Sequence, residues 1–82
     1  MPTVLRFGGL RTMIYPNDHR PAHVHVIGPG SEAMFILNCP GGPASLRSSY
    51  GFAGQELRAI EVRLNDALAL LCADWERIHG PD

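Results

Sequence analysis

Three of the chain's four histidines fall within seven positions, in the run NDHRPAHVHV at residues 17 to 26. Imidazole is the side chain whose ordinary protonation change lies nearest neutral pH, so it can move protons, bind phosphate or ligate a metal. Side chains two apart on a strand point the same way, which puts His23 and His25 about 7 Å apart on one face. His19, just before them, can add a third nitrogen, and zinc takes three or four such donors. No cysteine or carboxylate stands at a diagnostic spacing nearby, so no cofactor is expected. If a divalent transition metal binds, its expected ligands are His19, His23 and His25.

Two arginines come next. In TVLRFGGLRTMIY, two β-prone runs at 3 to 7 and 10 to 15 flank Gly8 and Gly9, a pair that accepts positive φ at both turn positions. A two-residue turn pairs Phe7 with Leu10, Leu5 with Thr12, Arg6 with Arg11 and Val4 with Met13. Arg6 and Arg11 side by side repel by a few tenths of a kcal/mol unless an anion joins them. With Tyr15, His23, His25 and Glu32 they make one polar face. Such a set can hold a phosphodiester, with His23 or His25 as general acid or base and Arg6 or Arg11 stabilising developing charge. The plain alternative is two exposed arginines neutralised by Glu32 and nearby carboxylates.

The elements that position these residues follow from periodicity. YPNDHRP is a turn by its Pro, Asn and Asp. AHVHVI and EAMFILN then make a second hairpin around a four-residue loop over 28 to 31, pairing His25 with Met34 and Val24 with Phe35. Ala22, Val24, Val26, Ala33, Phe35 and Leu37 share its apolar face. Residues 39–53 are rich in Pro, Gly and Ser and carry no periodic signal beyond a short extended piece near 45 to 48. From Gly54 the period changes: Leu57, Ile60, Leu64, Leu68, Leu71, Trp75 and Ile78 recur at steps of three and four, one stripe of an amphipathic helix. That helix, over 54–79 and closed by Gly80 and Pro81, is about 38 Å long at about 1.5 Å per residue. It outruns a four-strand sheet, so either it breaks near Asn65 and Asp66 or part of its stripe packs elsewhere. In its last turn, His79 reads as a partner for the helix dipole and cap. The expected fold is a single α+β domain over 1–82: two consecutive β-hairpins in a small antiparallel sheet (1–38), a loop (39–53), and a long C-terminal amphipathic helix (54–79) packed on one face.

Composition bounds what such a domain can do. With 82 residues, 45% of them apolar, and a formal net charge of −1, the chain is a folded globular domain. A domain of this size buries only about 60% of the surface its unfolded chain exposes. All seven cations are arginines, and the acidic residues gather after residue 50. There is no broad basic patch of the kind a general nucleic-acid binder carries. Cys39 and Cys72 stand in no paired motif, so neither a disulfide framework nor a cysteine zinc knuckle is expected and a reduced, cytoplasmic setting fits. Cys72 reads as a small hydrophobe beside the stripe and Cys39 as an exposed thiol. No leader-like or membrane-spanning run occurs, so no membrane association is expected.

The order MPTVLRFGGLRTMIYPNDHRPAHVHV, a glycine loop, AMFILN, YGFAGQEL and WERIHG resembles a bacterial family of small proteins known as domain of unknown function 4160. The resemblance covers nearly the whole chain and is most specific over NDHRPAHVHV. It brings no established activity and no catalytic roles. Members often stand beside a second small protein, which implies one half of a two-protein, toxin–antitoxin-like module acting through its partner, with RNA as a candidate target. Where the family tends to carry Ser, this chain has Ala53, so the S-x-x-E box with Glu56 lacks its first half and a looser first helical turn is expected. HVHV also resembles the strand of the histidine triad hydrolases, but Ile27 holds the third position and the chain is short for that fold. Three functional readings therefore stand together: the two-protein module, a histidine- or metal-dependent phosphodiester hydrolase acting alone, and a non-catalytic adaptor. A homodimer is the expected state without the partner, because sheet edges and an overlong stripe leave surface to cover.

Overall fold

A computed structural model describes residues 3–80. Five antiparallel strands lie in chain order, β1 (Thr3–Phe7), β2 (Leu10–Met13), β3 (His23–Gly28), β4 (Ser31–Ile36) and β5 (Ser45–Tyr50), followed by helices α1 (Gly54–Asp66) and α2 (Leu68–His79). Every strand therefore pairs with its neighbour in sequence. The fold is α+β, as the periodicities indicate.

Both hairpins keep their expected registers where turn chemistry sets them. Gly8 and Gly9 take φ of 53° and 77°, and Phe7 faces Leu10, Arg6 faces Arg11 and Leu5 faces Thr12. Beyond Leu5 a bulge shifts the register, so Met13 faces Thr3 and not Val4. His25 faces Met34 and Val24 faces Phe35 as expected, but Gly28 pairs with Ser31, which leaves a two-residue turn at Pro29 and Gly30. β2 stops at Met13, short of Tyr15, because the chain there bends into the next turn.

The sheet has a fifth strand where the sequence offered only a short extended piece. β5 pairs with β4, and all six of its residues are exposed. A strand that buries nothing carries no apolar alternation, so SLRSSY gave no periodic signal. The chain leaves β5 through Gly51 at φ 79°, where a Cβ would press on the backbone of Gly30 and Ser31.

The expected single helix is two. Ala67 (φ −110°, ψ 17°) separates α1 from α2 and donates its N–H to the Leu64 carbonyl. Asn65 explains the break's position. Its side-chain oxygen accepts from the Ala44 N–H at 2.8 Å and its amide donates back to the Glu61 carbonyl at 3.0 Å, tying the helix end to the loop before β5. The stripe survives the break: Ile60, Leu64, Leu71 and Trp75 are buried with Val24, Val26, Ala33 and Phe35 of the sheet's inner face and with Ile14 and Leu37 just beyond β2 and β4. Gly80, at φ 82°, ends α2, and the Arg20 guanidinium donates to its carbonyl at 2.9 Å. Pro81 lies outside the described residues.

The cysteines are not free thiols. Cys39 and Cys72 form a disulfide with Cα atoms 5.9 Å apart, pinning the loop after β4 to α2. The two stand 33 residues apart in sequence, a separation that carries no pairing signal. No helix is long and apolar enough to cross a membrane among the described residues.

Candidate functional site

The site begins with a turn. Over residues 15–18 the order Tyr, Pro, Asn, Asp places Pro at the second position of a β-turn, where its fixed φ is favourable. The Asp18 N–H closes it by donating to the Tyr15 carbonyl at 3.0 Å. The Asp18 carboxylate reaches back and accepts the Tyr15 N–H at 3.1 Å. One carboxylate oxygen is thereby held over the start of β3.

Beneath that oxygen lie the two strand histidines. Nε2 of His23 is 3.4 Å and Nε2 of His25 is 3.3 Å from Oδ2 of Asp18. Nδ1 of His23 lies 2.8 Å from the Pro21 carbonyl. A carbonyl only accepts, so Nδ1 of this ring carries a proton, and Nε2 is the nitrogen turned toward Asp18. His25 meets a second carboxylate on its other side, with Nδ1 3.5 Å from Oε2 of Glu32. Neither His25 nitrogen is aligned for a hydrogen bond. Glu32 in turn accepts from the Tyr50 hydroxyl at 3.5 Å, linking the site to β5.

These rings are not on an open strand face. His23 is 8% and His25 9% exposed. A file of rings covers them: Tyr15 lies 4.9 Å from His25 between ring centres, His25 5.1 Å from His23, and His23 5.2 Å from Trp75. His79 stacks on Trp75 at 3.8 Å. His79 thus stacks on Trp75 and makes no cap hydrogen bond among the described residues, where both of its ring nitrogens are buried without a partner. The Tyr15 hydroxyl is held above its ordinary pKa, first by burial and then by the Glu32 and Asp18 carboxylates, with Arg11 offsetting part of the rise.

Of the residues singled out from sequence, the fold brings His23 and His25 together and leaves others outside. His19 is exposed and is not among the donors that converge. Arg11 pairs with Ile27, two positions along β3 from His25, and acts on the Tyr15 hydroxyl. Arg6 stands one strand farther out on β1. Asp18 takes the place expected of His19, and sequence spacing could not show it because the turn, not the strand period, carries it back. A cavity of about 310 Å³ opens beside Asp18 and His23, lined also by His19, Arg20, Met34 and Arg47. Arg47 enters only because β5 exists, and Arg20 through the turn. The signal for them was one of composition: guanidinium is the chain's only fixed cation.

Chemically the arrangement offers three things: two imidazole nitrogens converging on a carboxylate, a cavity on one side of them, and two arginines, Arg20 and Arg47, among its lining residues. It can hold a proton or cation at the centre and an anion in the cavity.

A family model described as Domain of unknown function (DUF4160) matches residues 9–76. No curated protein and no solved structure matches the chain.

Proposed function

The chain belongs to the family of domain of unknown function 4160, and from that premise we propose that it is a small hydrolase of phosphodiesters, RNA above all, whose reacting centre is Asp18, His23 and His25. The observation that carries the reading is the convergence of both Nε2 atoms on one Asp18 oxygen beside a cavity walled by Arg20 and Arg47. The centre activates the attacking water, and the guanidinium groups take the phosphate, whose charge grows in the transition state. Arg11 and Arg6 extend the cationic surface along the same face for the rest of a polynucleotide.

The test is cleavage of labelled single-stranded RNA and of bis(p-nitrophenyl) phosphate by purified protein. Wild type cleaves at least one of them, His23→Ala loses the activity by a factor of about 100 or more, and Arg47→Ala raises KM more than it lowers kcat. A wild type inert toward both substrates overturns the reading.

A second reading rests on β5. Its six residues are exposed, Leu46 at 44% and Tyr50 at 65%, and one of its edges meets no strand among the described residues. Such an edge can accept a strand from another protein. This supports the bacterial two-protein module of toxin–antitoxin type, with the neighbouring gene's product as the partner and the hydrolytic face as the activity it controls. Tyr50 joins the two, since its hydroxyl holds Glu32 beside His25. Co-expression of the two genes and capture of one product on the other tests it; a partner that leaves β5 amide exchange unchanged sinks it. Cytoplasmic placement belongs to the same reading. There the Cys39–Cys72 bond meets cytosolic reductants, and thiol trapping in intact cells reads its state.

A further inference from the structure

We infer that Asp18, His23 and His25 are the three protein ligands of a divalent transition metal of the zinc class, with a remaining coordination position open to water. The inference rests on reading this face as the reacting centre and names what activates the water there.

Distance is the first support. Two ligand atoms about 2.0 to 2.1 Å from zinc, at the tetrahedral angle, stand about 3.3 to 3.4 Å apart. The Nε2 atoms of His25 and His23 stand 3.3 and 3.4 Å from Oδ2 of Asp18. One donor atom of each residue lies within 4.8 Å of the others.

Protonation is the second. The Pro21 carbonyl fixes a proton of His23 on Nδ1, so Nε2, which faces a carboxylate oxygen, is the nitrogen placed to bind a metal ion. A ring nitrogen and a carboxylate oxygen at that separation are suited to share one positive charge between them, which a metal ion can supply. Donation from the distal ring nitrogen to a carbonyl is also how metal-bound histidines are held in orientation. His25 is 9% exposed and both of its nitrogens lack a hydrogen-bond partner, an expensive burial unless something not of the protein completes it. Its Nδ1 faces Glu32, a carboxylate placed to orient the ring from behind.

The donor set then selects the ion. Two imidazoles and one carboxylate suit zinc, nickel, copper or iron and fit poorly with magnesium or calcium, which take oxygen. Thiolate is excluded because both cysteines are bonded to each other. Among the described residues no fourth side-chain donor joins the three, and the cavity lined by Arg20 and Arg47 begins at Asp18 and His23. Three protein ligands with an open side are the pattern of catalytic zinc, and four closed ones that of structural zinc.

The experiment uses untagged protein stripped with a chelator and titrated with Zn²⁺ by calorimetry, and with Co²⁺ followed by visible absorption. One equivalent of Zn²⁺ binds, Co²⁺ gives the intense bands of a tetrahedral site, and excess metal raises the melting temperature. His25→Gln and Asp18→Asn each weaken binding by a factor of about 10 to 100 or more, while His19→Ala does not. Should either ligand variant fail to fold, cobalt titration of His19→Ala and of the wild type still decides the matter. Absence of stoichiometric binding, or its loss in His19→Ala, overturns the inference. RNA cleavage that persists in stripped protein overturns the metal and leaves the hydrolase; tight metal binding with no cleavage leaves the metal and overturns the hydrolase.

Discussion

Asp18 holds two structures together with one carboxylate, closing the turn through the Tyr15 N–H and facing both strand histidines. Replacing it by Ala removes the turn bond and leaves that N–H without its partner, at a cost of about 1 to 3 kcal/mol. Asp18→Asn keeps an acceptor for the Tyr15 N–H and should cost less. Urea melts of both variants check this, and equal losses would show that the charge, not the turn bond, carries the stability. The histidines of this site were legible because a strand's period of two puts His23 and His25 on one face whatever the rest of the chain does. Asp18 was not, since its approach depends on a turn folding back over the strand. The same turn covers both rings, which a strand pattern alone leaves open to solvent.

At the scale of elements, α1 starts without a side-chain oxygen at its N-cap. Ala53 has the extended backbone an N-cap needs (φ −74°, ψ 157°), and the Glu56 carboxylate accepts its N–H at 2.8 Å, so one half of the reciprocal pair is present. Ala53→Ser supplies the missing acceptor for the first-turn amides and should stabilise the domain by about 1 kcal/mol, read as a shift in urea midpoint at unchanged slope. A neutral result would mean the first turn frays in the native state. The absent cap was plain from residue types alone, as were the hairpin registers set by Gly8 and Gly9 and by the pairing of His25 with Met34. The division of the helix was foreseeable from a mismatch of lengths, with a break near Asn65 and Asp66 as one of two outcomes; what decides for the break is Asn65 meeting Ala44 across the fold. β5 lay beyond periodicity altogether, because its residues satisfy backbone pairing with β4 and bury no side chain.

For the whole molecule, a core built by 82 residues leaves little reserve, and two features bear on that margin. The Cys39–Cys72 bond closes a loop of 33 residues, worth about 3 to 4 kcal/mol by loss of unfolded-state entropy. The double variant Cys39→Ser, Cys72→Ser, or reduction of the wild type, should lower stability by that order in a denaturant melt; an unchanged midpoint would place the bond's effect elsewhere. The second feature is unfinished surface. β1 and β5 are the sheet's two edges, and β5 presents Leu46 and Tyr50 to solvent beside its outward backbone groups. Natural sheets guard such edges with charge, proline or a partner. Arg47 is β5's only charge and no proline interrupts it. A second copy laying its own β5 alongside in antiparallel order would continue the sheet across a two-fold axis and bring together the exposed Leu46 and Tyr50 of each protomer. Sedimentation at micromolar concentration should then give twice the chain mass, and Leu46→Lys, which adds a charge to the edge and leaves the core untouched, should return the monomer. A wild-type monomer at those concentrations would show that β5 is not a self-pairing edge; a dimer that survives Leu46→Lys would move the contact to the exposed Val62 and Leu70 of the helices.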